Sequence, residues 1–218
     1  KKAGLQKLIL DLRGNGGGIL DQAVEIADEF LDGDKLITYT EGKHVDKKEY
    51  RCRRNGQFET GKLVVLADEG SASASEILIG ALQDWDRATI VGRRSFGKGL
   101  VQEQFDLSDK SALRLTIARY YTPIGRSIQR PYTNGERAYY DEVSNRYHDP
   151  ETTYADSVKN NSGKAYKTKG GKTVYAKGGI APDYFIAMDT SGFSKNSAAI
   201  YNKSTISSFA YNFYLQNQ

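Results

Sequence analysis

The sequence predicts an α/β fold with a parallel or mixed sheet, and two features support this prediction. Continuous apolar segments, typical of strands buried on both faces, alternate with segments of helical periodicity. A glycine-rich turn follows the first of these strands, at residues 13–18. The chain has 218 residues, of which 39% are hydrophobic. That length suffices for one core, which removes about 70% of the unfolded chain's surface from water.

The first part of the chain contains one strand–helix unit and two further strands. Residues 7–12 are mainly apolar, which predicts a buried strand. The apolar residues of the next segment recur at helical spacing and share one face: Leu20, Ala23, Val24, Ala27, Phe30 and Leu31. Residues 36–39 and 47–53 are predicted to be exposed antiparallel strands.

A second unit begins with residues 63–67, another buried strand, and its helix starts near Ser73. Residues 77–82 are apolar all round, so this helix should lie inside the molecule. Residues 88–91 predict a third buried strand. Residues 100–107 and 112–121 then predict a hairpin with its turn at 106–111.

The composition changes between residues 130 and 178, where tyrosine, asparagine and lysine dominate and apolar periodicity fades. Six lysines fall in a stretch without acidic residues: Lys159, Lys164, Lys167, Lys169, Lys172 and Lys177. We interpret this segment as a solvated loop or insertion; the alternative is a basic patch for an acidic partner. Helical spacing returns in residues 197–218, at Ile200, Ile206, Phe209, Phe213 and Leu215.

Composition and charge exclude several classes of protein. The net charge of +4, from 31 basic and 27 acidic residues, is too balanced to indicate nucleic acid as a partner. Apolar runs stay well short of the ~18 residues that a membrane-spanning segment needs. The single cysteine, Cys52, excludes an internal disulfide and a cysteine-based zinc site. With only His44 and His148, a histidine-based hydrolase or metal site is disfavoured, so we expect no metal.

Two glycine loops suggest phosphate binding, but neither completes its motif. A dinucleotide fingerprint starting at Gly14 requires glycine where Ile19 stands, and the frame starting at Gly16 ends at Asp21. Residues 92–99 resemble a P-loop, but Gly99 replaces the hydroxyl residue that would hold Mg²⁺. A strand-like run follows instead of a helix. Nucleotide binding is therefore disfavoured.

The segment 70–76 (GSASASE) joins a buried strand to a buried helix and admits two interpretations. Ser73 and Glu76 fit the capping box S-x-x-E, in which the serine only caps the helix. A serine at a helix N-terminus also lies beside free N–H groups, which can stabilise an oxyanion. The motif alone leaves both open.

A serine nucleophile needs a base. Both histidines lie in polar segments, so a lysine would have to take this role, and Lys98 is the lysine with suitable surroundings. A lysine that is neutral near pH 7 requires a pKa lowered from ~10.4 to about 7, a cost of roughly 5 kcal/mol that burial can supply. Apolar neighbours in sequence suggest such burial. Gln102, four positions on in a strand-like run, would share the face of Lys98 and orient it. The alternative is a surface lysine in a turn.

At these residues the chain resembles the catalytic core of the carboxyl-terminal processing proteases, also called tail-specific proteases. Members of this family are serine endopeptidases with a Ser/Lys dyad. Five stretches carry the resemblance in the family's order: residues 8–18 (LILDLRGNGGG), 63–82 (LVVLADEGSASASEILIGAL), 88–102 (ATIVGRRSFGKGLVQ), 112–129 (ALRLTIARYYTPIGRSIQ) and 179–183 (GIAPD).

The resemblance implies a role for each of eight residues. It assigns the nucleophile to Ser73, the general base to Lys98 and the orienting partner to Gln102. The oxyanion hole would consist of the backbone N–H groups of Gly17 and Ala74.

Three further positions, Arg13, Glu76 and Asp84, match supporting residues of the family, but for each of them we favour a purely structural ion pair over a role in activity. Asp84 lies eleven residues after Ser73, about 16 Å along a helix, so we expect a structural role for it.

The resemblance also implies a crotonase/Clp-protease-like spiral of strand–strand–helix units with an added β-rich, polar C-terminal part. Residues 1–129 and 179–218 would form an N-terminally incomplete protease core, and residues 130–178 an insertion. A PDZ domain of the full-length protein is expected outside this chain. The implied activity is cleavage of extended or unfolded polypeptides, from or near their C-termini, through an acyl-enzyme and without a cofactor. The implied setting is extracytoplasmic, in the periplasm. The alternative is a catalytically silent peptide-binding relative.

Overall fold

The structure is a computed structural model that describes residues 4–132, 135–146, 163–176, 178–189 and 205–217. The chain divides into two units, Lys1–Ala187 and Met188–Gln218. In chain order the elements are β1 (Lys7–Asp11), α1 (Leu20–Asp28), β2 (Leu36–Glu41), β3 (Lys48–Arg51), β4 (Lys62–Ala67), α2 (Ala74–Asp84), β5 (Thr89–Gly92), β6 (Leu100–Asp106), β7 (Ala112–Tyr121), α3 (Gly135–Arg146), β8 (Lys164–Lys167), β9 (Thr173–Ala176), β10 (Tyr184–Phe185) and α4 (Thr205–Gln216).

A four-stranded parallel sheet in the order β1–β4–β5–β10 forms the centre of the first unit. Val65 of β4 pairs with Ile90 of β5, and both are fully buried. The predicted α/β architecture with a parallel sheet is confirmed. The prediction that the first strand is buried is wrong, because β1 lies at the edge of this sheet and Ile9 is 67% exposed.

Helix α2 lies in the core, as the apolar residues on all of its faces predicted. All eleven of its residues are buried, including the polar ones near its ends. Gly80 permits the closest contact, because a Cβ at that position would lie 2.8 Å from Cγ2 of Thr122. The helix therefore has little room to move, and its N-terminus is held in place by packing along its whole length.

An antiparallel sheet in the order β3–β2–β7–β6 contains the strands predicted for residues 36–39 and 47–53 and the predicted hairpin. The prediction that both strands are exposed is wrong for β2, because Ile37 belongs to the hydrophobic core and Thr38 and Thr40 are buried beside it. The N–H of Leu107 donates to the carbonyl oxygen of Ser111 at 2.8 Å, and this bond closes the turn of the β6–β7 hairpin. Most residues of β6 and the first half of β7 are exposed. In the described part of the chain, β6 has one paired edge, toward β7.

The segment 130–178 is more structured than a solvated loop. It contributes α3 and a β8–β9 hairpin, and both belong to the first unit. Tyr139 and Arg146 of α3 are buried, as are Thr168 and Val174 of the hairpin region. The interpretation as a solvated loop is wrong for these residues, because alternating aromatic and charged side chains bury one face without apolar periodicity. Lys159 and Lys177 lie outside the described residues.

Glu142 of α3 is the acceptor for three arginines. It bonds Arg94 at 2.9 Å, Arg146 at 2.9 and 3.0 Å, and Arg130. Burial by itself would raise the pKa of Glu142, but the guanidinium groups of Arg146, Arg94 and Arg130 outweigh it and lower the pKa to about 2. Ionised Glu142 therefore helps to hold α3 on the core.

This network predicts an acid-sensitive part of the stability. A carboxyl whose pKa is lowered on folding stabilises the protein above its unfolded pKa, and this contribution is lost as the pH falls from about 4.5 toward 2. Since 40% of the Glu142 side chain is exposed, we expect only about 1–2 kcal/mol. In denaturant titrations, Glu142→Gln should be less stable than the wild type at pH 7, and the difference should shrink by about half at pH 3. Asp141→Asn, on the exposed side of α3, serves as the control. An equal difference at both pH values would contradict the prediction.

The second unit contributes α4, within the segment predicted to be helical. Its described side chains are exposed, and Phe209 stacks on Phe213 with ring centroids 6.2 Å apart. Ile200, which belonged to the same predicted face, lies outside the described residues. Among the helices that the structure describes, none is both long enough and apolar enough to pass through a membrane.

Candidate active site

Ser73 has a strained backbone at the start of α2. Its φ of 56° and ψ of −116° are the values of a position that glycine favours, namely the second residue of a type II′ turn. A non-glycine residue held there costs about 1–3 kcal/mol, and such strain is concentrated at functional sites. Ser73 is also half-buried, whereas Ser71 and Ser75 on either side are buried. Of the three serines, Ser73 is therefore the most accessible.

Ser71 has a structural role. Its Oγ donates to the carbonyl oxygen of Leu12 at 2.7 Å and accepts from the N–H of Asp68 at 3.0 Å. These bonds join the end of β4 to the loop after β1. This hydroxyl already donates one hydrogen bond and accepts another, so it is not available to act as a nucleophile.

Glu76, in the first turn of α2, is fully buried and accepts four hydrogen bonds. The donors are the N–H groups of Ser73 at 2.9 Å, Gly97 at 2.6 Å and Lys98 at 2.8 Å, and Oγ of Ser95 at 2.5 Å. Burial raises the pKa of Glu76, and these four donors oppose that increase. The expected ion pair is wrong for Glu76: in the described part of the chain its partners are backbone amides and a hydroxyl.

A single oxygen atom of Glu76 joins the two candidate catalytic segments. Oε2 accepts both from the N–H of Ser73 and from the N–H of Lys98. The capping-box contact of Glu76 with Ser73 is thus present, but it serves a second purpose. It fixes the backbone of the Lys98 loop against the backbone of Ser73.

The side chain of Lys98 is exposed, so the burial expected from its sequence neighbours is absent. Phe96 turns away and packs against other groups: its ring lies 4.4 Å from the Arg130 guanidinium and 6.5 Å from the Tyr139 ring. Leu100 and Val101 are only half-buried in β6. Neighbours in sequence are therefore not neighbours in space here, and they do not enclose the ammonium group.

Gln102 lies in β6 and is also exposed. Lys98 precedes that strand by two residues, so strand alternation does not extend across the whole interval between them. Within the ranges that the structure describes, no hydrogen bond joins the two side chains. The orienting role of Gln102 stays a prediction.

Gly17 lies directly against the turn that contains Ser73. Its φ is 90°, and a Cβ there would lie 2.7 Å from the nitrogen of Ala74 and 3.0 Å from Cβ of Ser73, so only glycine fits. The two N–H groups expected to form the oxyanion hole thus belong to adjoining backbone segments. The N–H of Gly17 donates to Oδ1 of Asn15 at 2.9 Å. Asn15 and its occupation of this donor were not predicted from the sequence.

A recess of about 200 Å³ opens beside Gly17 and Ala74, between the glycine turn, α1 and the start of α2. Apolar side chains form much of its wall, with Asn15, Gln22 and Ser75 as its polar groups. The apolar part consists of Leu12, Ile19, Ala23, Ile26 and Leu78, besides Ala74 itself. A small or medium apolar group would fit there.

Arg13 and Asp84 form ion pairs away from Ser73. Arg13 pairs with Asp11 at 2.7 Å on the surface. Asp84, at the opposite end of α2 from Ser73, pairs with buried Arg126. Burial raises the pKa of Asp84, and Arg126 opposes that increase. Both contacts are ion pairs of the kind expected for these two residues.

Ser95 is a further residue of the site that the sequence did not single out as a partner of Glu76. Besides donating to Glu76, its Oγ accepts from the N–H of Ile180 at 2.7 Å. The two segments 88–102 and 179–183, distant in sequence, meet through this hydroxyl. The sequence signal that could have pointed to this residue is a hydroxyl side chain three positions before Lys98.

Comparison with known proteins covers the first four of the five stretches that carry the resemblance. The sequence model of peptidase family S41 matches residues 1–135. A carboxy-terminal-processing protease of Bartonella bacilliformis is 47% identical over 125 residues, which are 57% of this chain and 29% of that protein. A carboxyl-terminal-processing protease of Synechocystis is 44% identical over 131 residues, 60% of this chain and 30% of that protein. The chain therefore spans about a third or less of the length of these relatives.

The fold has a counterpart among solved structures. A photosystem II D1 C-terminal processing protease superposes with a TM-score of 0.60 and 31% identity, covering 85% of this chain and 36% of that one. The superposed part extends beyond the sequence match and includes residues after 135. The α/β class predicted from the sequence agrees with this fold.

Proposed function

Since the chain belongs to peptidase family S41, we propose that it is a serine endopeptidase with Ser73 as nucleophile and Lys98 as general base. Its substrates would be extended or unfolded polypeptides, cut from or near their C-termini, as the names of the matched relatives suggest. The proposed reaction proceeds through an acyl-enzyme and needs no metal or cofactor. The periplasmic setting implied by the resemblance remains part of this proposal.

The observation that carries the proposal is the shared carboxylate oxygen. Oε2 of Glu76 binds the N–H groups of Ser73 and Lys98 together, although the residues are 25 positions apart. A helix cap alone would not need the second of these bonds. A nucleophile and its base, in contrast, must be held at a fixed separation, and mutual geometry is the first criterion for such a pair.

The chemistry follows from these positions. Neutral Lys98 removes the proton from Oγ of Ser73, which attacks the peptide carbonyl carbon. The resulting ammonium group then gives that proton to the leaving amine, and water hydrolyses the ester in a second round.

Lys98 is exposed in the free protein, so we propose that a bound polypeptide covers it and lowers its pKa by desolvation. The edge of β6 beside Lys98, which has no partner strand among the described residues, offers the polypeptide a strand to align with.

The oxyanion hole would form by exchange of acceptors. The N–H of Gly17 gives up Oδ1 of Asn15 and donates to the carbonyl oxygen of the substrate, together with the N–H of Ala74. Donors that lie on adjoining rigid segments need little reorganisation, which is the basis of this type of catalysis.

The recess beside Ala74 predicts a preference for apolar residues at the cleavage position. Peptides with Ala, Val or Leu before the scissile bond should have kcat/KM at least tenfold higher than peptides with Glu or Lys there, because a charged group loses its hydration in the apolar recess. Ala23→Phe, which fills the recess, should shift the preference toward Ala. Glu25→Phe, on an exposed side of the same helix, is the size-matched control. Equal cleavage of charged and apolar peptides would contradict this assignment.

The test of the proposed function is hydrolysis of an unfolded protein such as β-casein between pH 6 and pH 10. The wild type should cleave it with a rate that rises as the base loses its proton, and Ser73→Ala and Lys98→Ala should not. Equal activity in the wild type and Ser73→Ala would exclude Ser73 as the nucleophile.

The alternative, a silent peptide-binding relative, draws on the exposure of Lys98 in the free protein. It predicts that the wild type binds an unfolded polypeptide without cutting it, with the same affinity as Ser73→Ala. Binding by fluorescence anisotropy, measured alongside the β-casein assay, separates the two functions.

A further inference from the structure

The loop that leads to Lys98 is held from two sides. On one side, the carboxylate of Glu76 accepts from the N–H groups of Gly97 and Lys98 and from Oγ of Ser95. On the other side, the guanidinium of Arg146 donates to the carbonyl oxygens of Ser95 at 2.8 Å and Phe96 at 3.3 Å. Arg146 is the last residue of α3 and its side chain is buried.

Three other backbone groups of this loop form hydrogen bonds with the backbone of other segments. The N–H of Ser95 donates to the Ile180 carbonyl at 3.0 Å, and the N–H of Phe96 donates to the Ser71 carbonyl at 2.9 Å. The Gly97 carbonyl accepts from the N–H of Arg130 at 3.0 Å. Among the described residues, the carbonyls of Ser95 and Phe96 instead accept from a side chain of α3. Buried carbonyl groups without a partner are costly, so this contact should decide whether the loop stays in place.

Arg146 is itself oriented by its neighbours on α3. Glu142, one turn earlier, accepts from both Nε and Nη2 of Arg146. The Arg130 guanidinium also binds Glu142, and it lies against the rings of Phe96 and Tyr139, 4.4 and 4.1 Å from their centroids. The planar fork of an arginine fits a carboxylate on one side while its remaining donors reach carbonyl groups on the other.

From this arrangement we propose that Arg146 is a positioning residue for Lys98. It acts through the carbonyls of Ser95 and Phe96, so that α3 orders the loop from the side opposite Glu76. This gives the segment 130–178, which had no assigned role, a part in the reaction. The inference rests on the proposed function for its effect on catalysis, but its structural part can be measured without any activity.

The test compares the wild type with Arg146→Ala and with Arg137→Ala. Arg137 lies on the same helix with 96% of its side chain exposed, so it is a matched control. Two quantities are measured on each protein. Hydrogen–deuterium exchange reports on the amides of Gly97 and Lys98, and steady-state kinetics between pH 6 and pH 10 report on kcat, KM and the pH midpoint.

In Arg146→Ala we expect the two amides to exchange at least tenfold faster. We also expect kcat to fall at least tenfold with KM within threefold, and the pH midpoint of kcat to move by at least half a unit. Arg137→Ala should match the wild type within twofold. A purely structural role would lower thermal stability without moving the pH midpoint. Unchanged amide exchange in folded Arg146→Ala would overturn the proposal, as would faster exchange with unchanged kcat and pH profile.

Should Arg146→Ala fail to fold, Arg146→Lys provides the same two measurements. Lysine keeps the charge but cannot reach two carbonyl oxygens with one rigid fork. Unchanged exchange and unchanged kcat in that variant would overturn the proposal. If the wild type does not hydrolyse peptides, the proposed function fails, and the amide exchange alone then decides whether α3 orders the loop.

Discussion

Replacement of Ser73 by glycine is expected to abolish peptide hydrolysis and, at the same time, to stabilise the fold by about 1 kcal/mol. The hydroxyl that attacks the substrate is lost, so the rate should fall at least 1,000-fold. The φ of 56° is strained for serine but not for glycine, so relief of strain should exceed the entropy that glycine adds to the unfolded chain. Denaturant titration and β-casein cleavage measure the two effects.

Ser73→Ala separates these contributions. It also removes the hydroxyl, but alanine keeps a Cβ at the strained position, so hydrolysis should be lost without a gain in stability. If Ser73→Gly is no more stable than Ser73→Ala, the strain assigned to this residue does not exist. If either variant retains wild-type activity, Ser73 is not the nucleophile.

Substitution of Glu76 by glutamine should lower activity at least 100-fold and destabilise the protein by about 2 kcal/mol. The carboxylate accepts from four donors, whereas the one carbonyl oxygen of glutamine can accept from about two. The amide nitrogen would then face donors from Ser73 or the Lys98 loop. Removing a buried charge whose pKa is raised by burial offsets part of this loss, which keeps the expected net value modest.

Glu25→Gln is the matched control for this change. Glu25 is an exposed residue of α1, so the same chemical substitution should alter stability by less than about 0.5 kcal/mol and leave the rate within twofold. Glu76→Gln with near wild-type hydrolysis would show that the shared oxygen does not position the catalytic pair. Thermal unfolding and β-casein cleavage of both variants provide the comparison.

The sequence predicted the elements of the fold wherever apolar patterning was strong. The runs that became β4, β5 and α2 are apolar because these elements lie in the interior, where α2 is buried throughout and buried residues of β4 and β5 alternate with half-buried ones. Their positions therefore followed directly from the sequence. The edge position of β1 was not predictable, because an apolar strand looks alike at the edge and in the centre. The helix α3 was missed because its buried face consists of tyrosine and paired charged residues, for which hydrophobic periodicity carries no signal.

The candidate site could be predicted only in part, for a related reason. Local motifs identified Ser73, Lys98 and Glu76, but local sequence suggested the wrong surroundings for two of them. Lys98 was expected among apolar neighbours that in fact pack elsewhere. Glu76 was expected in an ion pair, whereas it binds backbone amides from the loop of residues 95–98. Contacts between backbone groups distant in sequence leave no mark on residue type, so only the fold shows them.

In the proposed mechanism, Ser73 is a nucleophile that Lys98 activates. Intact-mass spectrometry of the chain after incubation with a fluorophosphonate, which modifies activated serines covalently, tests this role directly. We expect one adduct, located at Ser73 by peptide mapping, absent from Ser73→Ala and formed at least 100-fold more slowly by Lys98→Ala. An adduct at another serine, or equal labelling of the wild type and Lys98→Ala, would contradict it.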